Sequence, residues 1–208
     1  GSPTALCRRE RRRSHGESPR QSDRLIWWIG AGLNCWGGWK MEWKNLAHFL
    51  YGRGFWYANP LEEIRSLNDE QLLWVPTEGA LPILWHVGHI ATREAMHIGS
   101  FIMGLPQDEL IPPECEVFLD WSSVDGIRNE TDGTAAVLRW VQETREAVHG
   151  WIDNLTEEDL QRIATDEEPD GALTVAHWLA ITVAHTALHV GRIQGLRAQV
   201  EGIKERAC

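Results

Sequence analysis

Five of the nine histidines in this 208-residue chain fall in two short stretches. Residues 181–193 read ITVAHTALHVGRI, which sets His185 and His189 four residues apart. On a helix such a pair projects from one face. Two rings one turn apart can share a metal ion, each giving one nitrogen at ~2.0–2.1 Å. Trp178, Thr182, Arg192, Ile193 and Leu196 lie on the same face, so it points to a core and not to solvent. Neutral imidazoles are unfavourable in a core unless their nitrogens find partners, and a metal satisfies two at once.

A third ligand has to come from another segment. Residues 82–99 read PILWHVGHIATREAMHIG, where His86, His89, Arg93 and His97 recur at steps of 3, 4 and 4. They form one polar stripe on a helix otherwise built of Trp, Leu, Ile and Met. A di-iron bundle would carry Glu-x-x-His on two helices. That pair of motifs is absent here, which favours one ion held by three histidines. His48, His149 and His177 stand alone on their segments and read as structural, His177 as a locally bonded residue at a helix start.

Periodicity predicts four helices to position these groups, over roughly 42–66, 82–103, 133–155 and 174–200. Gly52, Gly54 and Pro60 weaken the first. Pro82 suits a first turn, Thr131 or Asp132 can cap the third helix, and Thr174 can cap the fourth. Segments 104–132 and 164–172 read as loops, and two short acidic turns begin at Asn68 and Thr156. No segment alternates as a strand does. The class is all-α, most simply a four-helix bundle, with 104–132 long enough for a crossover connection. An internal echo, GAL then fifteen residues then HIG or HVG, relates 79–99 to 171–191.

Composition narrows the partners. A formal charge of −10 argues against nucleic acid and anionic membranes. The four cysteines are widely spaced, which suggests a reducing, cytoplasmic setting and no zinc ribbon. No apolar run reaches the ~20 residues of a membrane span. Residues 1–40 carry eight Lys/Arg and three Asp/Glu, and residues 41–208 carry twelve and twenty-seven. Much of the basic segment lacks any period and reads as disordered. Its Gly-Ser start resembles a tag scar, and its Gly- and Asn-interrupted apolar run makes a poor signal peptide. Trp36-Gly37-Gly38-Trp39-Lys40-Met41 back-translates to a purine-rich stretch before an ATG. Residues 1–40 therefore read as a disordered or non-native extension, and 41–208 as the bundle domain.

Two stretches resemble the DinB-like superfamily of helical-bundle metalloproteins. Trp85-His86-Val87-Gly88-His89-Ile90-Ala91, then Glu94, is similar to that family's Trp-x3-His-[Ile/Leu]-Ala start of a second helix. His185-x3-His189-x-Gly191-Arg192-Ile193-x-x-Leu196-Arg197 is similar to its His-x3-His-x-Gly-Gln-Ile-x-x-Leu-Arg ending. The resemblance spans about 42–200. It implies a DinB-like bundle with one metal on His89, His185 and His189. His86 is the alternative for the first ligand, because Trp85-His86-Val87-Gly88-His89 also resembles the Trp-His-Leu-Ala-His of the related domain in ergothioneine-synthesis sulfoxide synthases. The large catalytic domain of those enzymes is not in this chain. Arg192 stands where the family usually has Gln.

Three protein ligands leave a coordination place open, as in catalytic sites. The ion could be Zn, Ni or Fe, since imidazole suits all three. Family members resemble thiol-dependent S-transferases using a low-molecular-weight thiol, whereas an activated water would make a hydrolase. Glu94 and Arg192 are the catalytic candidates, Arg93 is a further neighbour, and Trp85 and Trp178 could wall a pocket for a small-molecule substrate. A metal-binding or sensing bundle without catalysis remains the competing reading. The 12 tryptophans and the family likeness lean towards a homodimer.

Overall fold

Three of the four expected helices form nearly as the periodicity predicts, and the first is broken. The computed structural model describes residues 42–53, 59–165 and 172–207. The extension expected at 1–40 lies outside the described residues. Helix α1 is Trp43–Leu50. Gly52, at φ 92°, turns the chain out of it. A separate helix, Pro60–Ile64, starts where the Asn59 side chain accepts from the Leu61 N–H and Pro60 needs no partner. The single helix expected over 42–66 is therefore at least two pieces.

Helix α2 is Ile83–Glu94, and every residue in it except Arg93 is buried. It runs on through wider π-type turns over Ala95–Ile102. Helix α3 is Thr134–Asn154 and helix α4 is Val175–Ala207. The cap expected from Thr131 or Asp132 is replaced by Gly133, whose φ of 94° turns the chain without a side-chain bond. The Thr174 cap does form. Its hydroxyl accepts from the His177 N–H at 3.4 Å, and His177 Nδ1 accepts from the Thr174 N–H at 3.2 Å.

Segment 104–132 is more ordered than a loop. It holds the short α-helices Gln107–Leu110 and Val124–Glu130 and a 3₁₀ helix at Pro113–Phe118. The expected absence of strands also needs correction. Strands β1 (Ile163–Thr165) and β2 (Leu173–Thr174) pair antiparallel, Ile163 with Thr174 and Thr165 with Leu173. At three and two residues they are too short to show a period. No described helix is long and apolar enough to cross a membrane.

Helix α2 packs against α4 and α3, and α1 lies on α3. Ile83, Val87, Ile90, Phe118, Val141 and Ile193 form one apolar core. Tyr51, Ile98, Ile152, Val175 and Trp178 form a second beneath the π-type turns. Each such side chain contributes about 1.5–3 kcal/mol on burial. Polar ties fix the angles between the rods. His48 Nδ1 lies 2.9 Å from His149 Nδ1, and His48 Nε2 lies 2.8 Å from Asp153 Oδ1, joining α1 to α3.

The tightest tie is Arg145 on α3 to Glu94 on α2, an ion pair at 2.6 Å with the carboxylate fully buried. Arg145 also donates to the Tyr51 carbonyl. Removing one partner of such a pair strands the other charge in the core. Arg145→Met should cost about 3–5 kcal/mol in urea unfolding. A loss below about 1 kcal/mol, the range of an exposed pair, would show that the pair holds little.

Candidate metal centre

The stripe on α2 and the histidine pair on α4 face each other. His89, His185 and His189 each offer a ring nitrogen, and these nitrogens lie within 4.8 Å of one another. His89 Nε2 and His185 Nε2 are 3.2 Å apart. His86 is close but plays another part. Its Nδ1 sits 2.9 Å from His189 Nδ1, and it does not join the group of three.

The far side of each ring is held, with one exception. His89 Nδ1 donates to the Phe118 carbonyl at 2.6 Å, which leaves Nε2 free to face inward. Trp85 stacks on His89 with centroids 4.3 Å apart and planes 16° apart, and its Nε1–H donates to the Asp120 carbonyl at 3.0 Å. Phe118 reaches α2 because Gly88 has no side chain. A Cβ there would meet the Phe118 ring at 2.6 Å. Next along the stripe, His97 Nδ1 donates to the Thr182 hydroxyl at 3.1 Å, whose own proton goes to the Trp178 carbonyl at 2.7 Å. His185 Nδ1 is the exception, because it is buried without a hydrogen-bond partner, as is Trp178 Nε1.

Burial is the largest influence on every ring in the cluster. It pushes His86 and His185 down to about 4, and His97 and His189 down to about 3. His89 is lowered in the same way, with the Phe118 bond opposing. Positive charge on neighbouring rings and on Arg93 and Arg192 adds to the depression. All five rings are therefore neutral at pH 7, and neutral imidazole is the form that ligates.

The two expected catalytic groups separate. Arg192 is exposed, three residues on from His189 and on the same face of α4. Glu94 turns away from the histidine nitrogens. Its Oε1 accepts from Arg145 at 2.6 Å and from Thr186 at 3.4 Å, and its Oε2 is buried without a partner. Five residues beyond His89, it lies about 140° around the helix. The acceptors at Phe118 and Thr182 were missed by sequence reasoning. The first is a backbone atom with no side-chain signature, and Gly88 was its only trace.

A family profile described as the DinB superfamily matches residues 57–193, which include both histidine segments. The chain belongs to the DinB superfamily. No curated protein matches it. The DinB match covers α2, α3 and the first half of α4, and so every residue of the cluster.

The depressed histidines set a pH dependence for the metal-free protein. Between about pH 6.5 and pH 4 the unfolded chain takes up protons that the folded rings refuse. Stability is therefore full above about 6.5 and falls as pH drops through that window. Urea midpoints should be level from pH 7 to 8.5 and fall steadily below about 6.5. A midpoint unchanged down to about pH 4 would show that these rings are not held neutral.

Proposed function

We propose that this DinB-superfamily protein binds one divalent transition-metal ion on His89, His185 and His189, within a four-helix bundle. The ion would leave a place open for a small-molecule guest. The observation that carries the reading is the convergence of three neutral ring nitrogens, with no fourth His, Cys, Asp or Glu in the group among the described residues. Closed structural sites usually have four protein ligands, and three with an open place is the catalytic pattern. The donor set fits Zn, Ni or Fe. The unpartnered Nδ1 of His185 fits too: a ring that ligates through Nε2 keeps its proton there and tolerates one weak site better than two.

When bound, the ion would lower the pKa of a water or thiol in the open place. The reaction class is then transfer to or from a low-molecular-weight thiol, or hydrolysis of a small molecule. The protein's own residues orient and shield. The Phe118 carbonyl holds His89 with Nε2 inward, His86 holds the far nitrogen of His189, and Trp85 covers one face of His89. Arg192 supplies positive charge at the edge of the site. Glu94 acts through Arg145, by fixing α2 against α3.

Protein purified without a histidine tag or added metal should carry about one equivalent of a transition metal by mass spectrometry. His185→Ala should drop this below about a tenth of an equivalent while helical circular dichroism is kept. A metal-poor parent protein, or an unchanged metal content in His185→Ala, would end the reading.

A further inference from the structure

Helix α1 holds α3 through His48 on one face and turns a second, apolar face elsewhere. Trp43, Leu46 and Leu50 share that second face, at steps of 3 and 4. With Ala180, Val183 and Ala184 of α4 they line an open, almost wholly apolar groove of about 330 Å³. The apolar surface runs on past the groove along α4. Ala180, Ala184, Ala187 and Gly191 face solvent, and Ile181 and Leu188 project beside them. Leu188 is 55% exposed, Leu46 44% and Ile181 40%. No Asp, Glu, Lys or Arg occurs from 178 to 191.

The outer face of α3 is solvated in the ordinary way, with Arg139, Glu143, Glu146 and Asp153 all exposed. A contiguous apolar face such as that of α1 and α4 is instead the mark of an interaction site. Whatever covers it must be uncharged where it touches, because a charge buried without a partner is costly. A second copy of the chain meets that condition with the same patch. At a formal charge of −10, two copies repel each other over most of their surfaces, and this face lets them meet without opposing like charges. The patch also complements itself. Leu46, Ile181 and Leu188 project, while the groove and the small Ala and Gly positions recede. A two-fold axis sets the projections of one copy against the recesses of the other. Residues 180–198 of α4 present a strip about 28 Å by 10 Å, and α1 adds one of about 12 Å by 10 Å. That is about 400 Å² per copy in projection. Side-chain relief brings the pair to about 1,000 Å², the lower bound of a specific interface and the range of reversible pairs.

We propose that two copies of this chain pair through the face shared by α1 and α4, about a two-fold axis. Leu46, Ile181 and Leu188 of each copy are buried against the groove and the small residues of the other. The pairing is independent of the metal-site reading and needs no ion.

Sedimentation velocity of the full, untagged chain from about 1 to 100 μM tests this, and half-dimerisation should fall in the tens of micromolar. Leu188→Glu and Leu46→Glu each place a charge within the contact. Each should weaken pairing about 30-fold or more and leave mostly monomer at about 100 μM. Both positions are exposed, so helical circular dichroism should be kept, and if one variant loses helix the other decides. Ala135→Glu adds the same charge to the exposed side of α3 and should leave the dimer whole. Added salt should strengthen the pairing or leave it unchanged, because it screens the repulsion between two acidic copies.

A chain that stays monomeric throughout overturns the proposal, as does an assembly larger than a dimer. A dimer that both Leu→Glu changes leave whole, or that Ala135→Glu weakens equally, is held through another surface and overturns it too.

Discussion

A buried imidazole is tolerated only when its ring nitrogens are accounted for, and the contact between α2 and α4 brings five imidazoles together. His89 bonds to the Phe118 carbonyl, His86 and His189 face each other, and His97 leans on Thr182. His185 is left with one nitrogen toward His89 and one toward nothing. These pairings admit one register. If α2 slid by a turn against α4, His86 would lose His189 and His97 would lose Thr182 together. The polar stripe thus fixes the relation of two helices that apolar packing alone would hold more loosely.

The parts that support this contact are remote from it in sequence. Gly88 lets the Phe118 ring lie directly on α2, and that approach brings the Phe118 carbonyl to His89. On the other side of α2, Glu94 grips Arg145, and Arg145 grips the end of α1 through the Tyr51 carbonyl. Tyr51 in turn donates to the Leu179 carbonyl on α4 at 2.9 Å. The circuit therefore closes from α2 through α3 and the end of α1 to α4. A buried ion pair of this kind contributes little net stability. Its directional bonds instead set the rotation of α2 about its axis, and that rotation decides which histidines meet.

That rotation is also what the sequence leaves unresolved. The pairing of His185 with His189, the stripe on α2 and three long helices were legible because each follows from a spacing along one element. Thr174 was legible as a cap because capping is local. His86 and His89 could not be separated by spacing, since both lie on the stripe three residues apart. The choice between them depends on how Phe118 seats against Gly88. Glu94 shows a related point. Its residue type suits catalysis, but its direction around the helix sends it to Arg145. The Gly133 turn and the two short strands went unseen because a positive φ and a two-residue ladder leave almost no pattern.

Desolvation and the charges of Arg93 and Arg192 act on the cluster in the same sense for protons and in opposite senses for its use. By keeping the rings neutral at pH 7 they leave lone pairs available that protons would otherwise occupy, and that favours any cation able to form strong directed bonds. The same positive field opposes that cation once it arrives. Glu94 does not offset that field, because it is bonded to Arg145, and the carboxylate that acts on His89 is Asp120. An ion held there as proposed would therefore need bonds to all three rings to outweigh that field.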